Sequence, residues 1–399
     1  MNLKCERLDH FGKGICYNNG KIVFVKNLLP EEEAEIKITV TKKNYAEGKI
    51  MTLKKQSPDR IIPKCPYENC GCSLKHLNYE KQLIFKEEKV KDIIKRYTNI
   101  NTKINHIVSC PKQNNYRNKI TLKSNGKLGY HKEKSNDIIP ITKCELVSSN
   151  VNKIITILNT LDLSKVKEIV IKELDEIMLS ITGTLDITPL KTIVNSIYIN
   201  NKLVYGSEFI ETNILETKFK ILPNSFFQVN KYMTSKLYET VLKYAGKNKN
   251  QKVLDLYCGT GTMTILLSKH FKEVIGIEIN KESIKCANIN KEINDIKNVK
   301  FICEDASKLK DLKADIIIVD PPRSGLTNEG IKDILNINPT KIIYVSCDPM
   351  TLARDLKKLN DKYEIKEITP VDMFPNTYHV ECVCLLERRL ALIKQGQSN

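Results

Sequence analysis

Tryptophan is absent, and aromatic residues make up only 7% of the 399-residue chain. Any stacking on a nucleobase therefore falls to Tyr, Phe, His or Arg. No run of about 18 or more apolar residues occurs, so no spanning helix is expected. The opening MNLKCERLDHFGKG has no apolar h-region, and no secretory signal is expected. Its thirteen cysteines are then expected to stay reduced in the cytoplasm, where clustered thiols serve metals or catalysis rather than disulfides. Acidic charge is in short supply: 47 Asp and Glu face 64 Lys and Arg, a net charge of +17. A lysine-rich solvated surface is the bland reading of that excess. A polyanionic partner, RNA or DNA, is the sharper one. Charge alone carries no sequence specificity.

What is present divides the chain into three parts, within the two or three domains the length suggests. Residues 1–57 carry short alternating strands, such as KIVFV and EAEIKITV, with a glycine-containing connection. That spacing predicts a small OB-like β-barrel, an architecture often used for oligonucleotides. Residues 58–215 form a central mixed α/β unit. It opens with a cysteine cluster and a helix whose predicted apolar face is Leu83, Val90, Ile94 and Tyr97. Residues 216–399 alternate strand and helix. KVLDLYC, EVIGIEI, VKFICED, ADIIIVD and KIIYVSC are five apolar runs, which predict a Rossmann-like, doubly wound parallel sheet. HVECVCLLE is expected to be a late edge or antiparallel strand.

The chemistry-bearing residues fall at the carboxyl ends of these runs, where open α/β sheets bind ligands. Gly259 and Gly261 lie between a strand and an apolar helix, allowing a ligand to approach the helix amino end. Glu278 ends the next strand, at the spacing of a ribose-binding acid. Asp305 ends the one after and could accept from an adenine amino group. Thr264 occupies the third glycine position of the dinucleotide fingerprint, which favours S-adenosylmethionine (SAM) over NAD. In DPPRSG the prolines stiffen the loop after Asp320. Cys347 lies between a strand and a helix amino end, whose open amides favour a thiolate. Glu381 and His379 belong to one strand-like run and are expected to face opposite ways. Glu381 is taken to face the site.

Cys65, Cys70 and Cys72 lie within eight residues, with Cys144 far downstream. Four soft ligands leave three uses open: an iron–sulfur cluster, zinc, or free thiols. Gly71 between two of them permits an unusual backbone angle. The cluster is far in sequence from Cys347, which assigns it to structure or RNA docking. Cys110, Cys258, Cys286, Cys303, Cys382 and Cys384 read as packing residues.

FFQVN (226–230), DLYCGTG, DPPRSGL, SCDPMTLARDL and DMFPNTYHVE together resemble the SAM-dependent RNA uracil-5-methyltransferases. FGKGICYNNGKIVFVKNLLPEEEAEIKI resembles the TRAM RNA-binding barrel of that family. CPYENCGCSLKHL and Cys144 resemble the [4Fe-4S] ligands of its ribosomal-RNA branch, although C-x4-C-x1-C stands where C-x5-C-x2-C is usual. The resemblance implies Cys347 as nucleophile and Glu381 as base. It implies Gln228, Tyr257, Glu278 and Asp320 as contacts for SAM or the base. It also implies a cytoplasmic monomer acting on RNA, with ribosomal RNA favoured over transfer RNA. Three alternatives stand beside it. An RNA cytosine-5-methyltransferase would carry a cysteine in the DPPR loop, and none is there. An amino-group methyltransferase would leave Cys347 without a task. A non-enzymatic iron–sulfur RNA-binding protein would not need Cys347 and Glu381.

Overall fold

The computed structural model describes residues 1–133, 135–306 and 312–389. The chain begins with six strands: β1 Asn2–Lys4, β2 Arg7–Leu8, β3 Gly14–Asn18, β4 Lys21–Val25, β5 Glu33–Thr41 and β6 Tyr45–Lys55. Their order is β1-β5-β6-β4-β3-β2. The continuous segment 2–8 pairs with β5 at its start and with β3 at its end. The sheet thereby closes on itself and leaves no free edge there. Leu3, Cys16, Val23, Val25 and Ile36 alternate inward to fill it. Arg60 then grips Glu32 through two of its side-chain nitrogens, at 2.5 and 2.7 Å, and fixes the following segment to the barrel.

Helix α1, Tyr79–Thr98, starts at Asn78, whose side chain accepts from the Lys81 amide. Val90 and Ile94 are buried as the sequence predicts, but Tyr97 is 51% exposed. The buried face instead includes Gln82, Lys86 and Lys89. These polar side chains reach partners in residues 372–378, a choice that apolar periodicity cannot reveal. Strand β7, Lys103–Ile104, pairs beside a strand of the carboxyl-terminal sheet. Both elements, read from sequence as central, pack on that sheet's layer.

The central sheet contains β8 Lys119–Ser124, β9 Leu128–His131, β10 Ile138–Pro140, β11 Val166–Glu173, β12 Ile177–Gly183, β13 Ser196–Ile199 and β14 Lys202–Gly206, in the order β10-β9-β8-β11-β12-β13-β14. Helix α2, Ser149–Leu158, buries Val151, Ile154, Ile155 and Leu158 in the core of this sheet. A hairpin, β15 Ile210–Ile214 and β16 Thr217–Ile221, leads onward.

Helix α3, Thr234–Ala245, precedes an alternating series: β17 Asn248–Leu256, α4 Thr262–Ser268, β18 Phe271–Glu278, α5 Lys281–Ile293, β19 Val299–Cys303, β20 Ile316–Val319, α6 Asn328–Ile337, β21 Lys341–Ser346, α7 Pro349–Leu359, β22 Tyr363–Val371 and β23 Glu381–Arg388. The sheet order is β19-β18-β17-β20-β21-β23-β22-β7. Strands β17 to β21 are the five expected parallel runs. The order in which parallel strands are added reverses between β17 and β20, which opens the crevice at their carboxyl ends. Strand β23 is antiparallel as expected but is not at the edge. It lies between β21 and β22. The sequence reading missed β22, although buried Tyr363 and Ile365 alternate there with exposed Glu364 and Lys366. Among the described residues no helix is long and apolar enough to cross a membrane.

Candidate active site

A narrow cleft opens where β17 and β20 end, and Phe226, Phe227, Gln228, Tyr238, Tyr257, Gly259 and Asp320 line it. Tyr257 has a φ of +64°, uncommon for a residue with a side chain and a mark of strain at a ligand-facing turn. The two neighbouring glycines do different work. Nothing lies within 4 Å of where a Cβ on Gly259 would stand, so that backbone is open to a ligand. A Cβ on Gly261 would lie 2.5 Å from the Phe301 ring, so this glycine serves packing rather than approach. Glu278, Asp305 and Gly261 stand around the cleft rather than lining it. The Glu278 carboxylate accepts from the Gly259 amide at 3.2 Å and from the Asn280 amide at 2.8 Å, bracing the glycine turn. Asp305 stands near enough to Tyr257 that, after burial, its charge helps push that phenol up.

Cys347 and Glu381 meet through strand register. Ser346 of β21 is paired with Cys382 of β23, so one step further places Cys347 opposite Glu381. Residues so opposed have Cβ atoms about 4.5–5.5 Å apart. Glu381 is 3% exposed, while Cys347 is half-buried. Asp320 ends the parallel neighbour of β21 and completes the group. Burial, then the Asp320 charge, pushes Glu381 well above the usual carboxylate range. Burial, then Asp255, raises Asp320 to about 7. Two adjacent buried carboxyls cannot both ionise cheaply.

The expected stabilisation of a Cys347 thiolate is not what the site provides. Burial, followed by Glu381 and Asp320, pushes the thiol up to about 11. The helix amides are also not open. Asp348 caps α7, and its carboxylate accepts from Met350 N at 2.9 Å and Thr351 N at 3.5 Å. A carboxylate already occupies the position that would stabilise a thiolate. Arg323, the nearby cation, is shared with Asp348 at 3.4 Å.

Cys347 opens on a larger cavity of about 560 Å³. Arg323, His379, Phe374, Tyr79, Gln113 and Asn376 form one side, and the four cysteines Cys65, Cys70, Cys72 and Cys144 line the other. The cluster and Cys347, far apart in sequence, therefore share one space. His379 faces this cavity as well, because β23 begins only at Glu381 and strand alternation does not reach residue 379. Burial, then Arg323, lowers His379 to about 4, so its ring is neutral. Lys75 donates to the carbonyls of Cys65 and Tyr67 at 2.9 and 2.6 Å, and Tyr67 meets Thr142. Asn152 holds the backbone of Cys144 from both sides. Gly71 has the unusual angle expected, φ +104°. Burial and the other three thiols push Cys72 up to about 12, the signature of thiols that repel one another as anions. Among the described residues no three His, Cys, Asp or Glu converge closely enough for a single metal ion. Of the cysteines read as packing residues, Cys110, Cys258, Cys286, Cys382 and Cys384 are buried, and Cys303 is exposed.

Several supports were not legible in sequence. Asn230, inside FFQVN, is fully buried and donates to the Met373 carbonyl at 3.1 Å. Asp372 accepts from Lys86 at 2.5 Å and Tyr79 at 2.8 Å. Both tie the 372–379 loop, which carries His379 and leads into Glu381, to distant segments.

A doubly wound sheet of this order, with a ligand cleft at the carboxyl ends of its parallel strands, is the fold of a Rossmann-type methyltransferase. The family model for tRNA (uracil-5-)-methyltransferase matches residues 173–310 and 304–389, and that for the TRAM domain matches residues 1–51. An uncharacterized RNA methyltransferase of Caldanaerobacter subterraneus is 36% identical, over 96% of each chain. One from Clostridium acetobutylicum is 35% identical, also over 96% of each. Among solved structures, the Pyrococcus abyssi tRNA (uracil-54, C5)-methyltransferase in complex with S-adenosyl-L-homocysteine matches with a TM-score of 0.81. It is 29% identical, over 97% of this chain and 99% of that one. The chain belongs to the RNA uracil-5-methyltransferase family and carries an amino-terminal TRAM domain.

Proposed function

We propose that this protein transfers a methyl group from SAM to C5 of a uridine in RNA through a transient Cys347–C6 bond. The observation that carries the reading is the register that sets Cys347 opposite Glu381 at a cavity large enough for a base. Uracil C5 is a poor nucleophile toward a sulfonium methyl. The Cys347 thiol gives its proton to solvent in the open cavity, and the sulfur adds to C6, which converts C5 into an enolate carbon. C5 takes the methyl group, and S-adenosylhomocysteine leaves. Glu381 as carboxylate removes the C5 proton, and the electron pair restores the C5–C6 double bond as the C6–sulfur bond breaks, freeing Cys347 as a thiolate. The donor occupies the cleft of Gln228, Tyr257, Gly259 and Asp320, with Glu278 and Asp305 on its adenosine side. Its positive sulfonium beside Asp320 offsets the crowding of negative charge there, which favours ionised Glu381. The target base leaves its stack to reach the cavity, at a cost of a few kcal/mol in a duplex and less in a loop.

The test is incubation with labelled SAM and RNA, then digestion and identification of the modified nucleoside. 5-Methyluridine supports the reading; 5-methylcytidine or no product overturns it. RNA containing 5-fluorouracil should yield a stable protein–RNA adduct, because fluorine cannot leave as a proton does.

Cys65, Cys70, Cys72 and Cys144 fit a [4Fe-4S] cluster better than zinc. All four cysteines line one cavity. Such a cluster would neutralise the mutual repulsion of the four thiolates and cross-link the cysteine loop to the central sheet. Anaerobic purification should yield iron and sulfide in equal amounts; a colourless protein with one zinc would overturn this assignment. Ribosomal RNA is the proposed substrate, favoured by the cysteine pattern. Transfer RNA is the second reading, favoured by the activity of the Pyrococcus abyssi relative. Mapping methylated uridines in cells with and without the gene separates them.

A further inference from the structure

The loop that leads into Glu381, residues 372–379, is held in two halves by different parts of the chain. Its first half belongs to α1 and Asn230. Lys86 and Tyr79 hold Asp372, Lys86 also donates to the Phe374 carbonyl at 2.9 Å, and Asn230 holds the Met373 carbonyl. Its second half belongs to the segments that carry the four cysteines. The Tyr378 amide donates to the Ser73 hydroxyl at 3.1 Å, and the Leu74 amide donates to the Asn376 carbonyl at 2.9 Å. Ser73 and Leu74 directly follow Cys72. Gln82 closes this joint, donating to the Leu74 carbonyl at 3.2 Å and accepting from the Asn376 amide at 2.8 Å.

A second route reaches the same place from Cys144. The carbonyls of Glu145 and Leu146, the next two residues, accept from the Asn115 and Arg117 amides at 2.9 and 2.8 Å. Tyr116 between them is 1% exposed, and its hydroxyl donates to the Pro375 carbonyl at 3.1 Å. Two supports from two separate cysteine-bearing segments thus meet on residues 375–378. The loop shares their cavity: Phe374, Asn376, Thr377 and His379 line it together with the four cysteines and Cys347. All four thiols are free, so no covalent bond fixes the spacing of the two segments.

We propose that the four-cysteine site is a control element for catalysis: filling it fixes the spacing of the Ser73–Leu74 and Tyr116 supports, and thereby seats the second half of the loop that leads into Glu381. The proposal rests on the reading of the four thiols as [4Fe-4S] ligands and of Cys347 and Glu381 as the reacting pair. Emptying the site frees both supports, and residues 375–378 with them, while 372–374 stay on α1 and Asn230. Coupling between two sites needs an element whose arrangement both of them bias, and residues 375–378 are that element. Ser73, Leu74 and Tyr116 act as positioning residues, since each works through the loop. Methylation thereby depends on the supply of iron, although no step of the proposed transfer uses it.

The test compares the full-length protein, purified anaerobically with iron and sulfide bound, with the same protein emptied by a chelator under reducing conditions. Amide hydrogen exchange reads the loop directly. Emptying should speed exchange at Leu74 and Tyr378 by about tenfold or more, and refilling with iron and sulfide should reverse it. Asp372 and Met373, whose amides donate to the Val108 and Val371 carbonyls, should stay within about twofold. In the filled protein, Ser73→Ala should lower kcat by about tenfold, the cost of a misplaced reacting group. KM for SAM should hold, because Ser73 does not line the cleft proposed for the donor. Ser73→Thr keeps the hydroxyl and should keep kcat. In the emptied protein, Ser73→Ala should leave exchange at Tyr378 unchanged, a non-additivity that a purely structural role lacks. Equal exchange at Tyr378 in filled and emptied protein, or a rise spread evenly over 372–379, would overturn the proposal. Failure of the underlying readings looks different, and the proposal falls with either: the protein would take up no iron and sulfide, or the filled wild type would methylate no uridine.

Discussion

Cys347→Ala should abolish uridine methylation, with a loss on the order of 10⁴-fold or more, the range seen when a covalent nucleophile is removed. Among the described residues, Cys382 is the nearest alternative thiol in sequence to Glu381. It lies buried on the other side of β23, and burial pushes its thiol above the range in which it ionises. SAM affinity should be unchanged, because Cys347 does not line the cleft proposed for the donor. Glu381→Gln should behave differently. The sulfur can still add and the methyl group can still transfer, but the C5 proton cannot leave. A covalent RNA adduct that survives denaturing electrophoresis is the expected product. Turnover by Cys347→Ala at a measurable fraction of the wild-type rate would sink the mechanism. Loss of the adduct in the glutamine variant, with the fold intact, would remove Glu381 from its role as base.

The second large effect is on stability. Asp372 and Lys86 are both fully buried, 2.5 Å apart, and Tyr79 donates to the second carboxylate oxygen. Asp372→Ala leaves an ammonium group inside the protein with no counter-charge. Removing one partner of such a pair costs about 3–5 kcal/mol. Urea unfolding should show that loss, and methylation should fall with it, because the loop carrying His379 is released. Replacing both residues by apolar ones, as in Lys86→Met with Asp372→Leu, should recover most of the stability. A cost below about 1 kcal/mol for Asp372→Ala would mean that the pair behaves as a surface ion pair does.

These two cases mark what can be read before folding. The five parallel runs were legible because strands buried on both faces are apolar throughout. The motifs ending them were legible because glycine, proline, thiol and carboxyl groups gather where the apolar runs stop. Strand β22 was not, since only one face of its first half is buried and glutamates interrupt it. The Asp372–Lys86 pair was not, because 286 residues separate its members and each alone reads as a surface charge. The state of Cys347 was read the wrong way. Sequence showed a helix beginning after it, while only structure shows that Asp348 bends back to fill the helix mouth. His379 was turned away by an alternation rule that begins two residues later.

The Asp348 cap has a consequence for how the protein survives between encounters. A sulfur kept in its hydrogenated form by burial, and then by the carboxyl groups beside it, is a poor target for peroxide or alkylating metabolites. On the proposed mechanism, the thiol can meet small reagents in a cell and yet remain intact, becoming reactive only once a cationic methyl donor and a pyrimidine have arrived together.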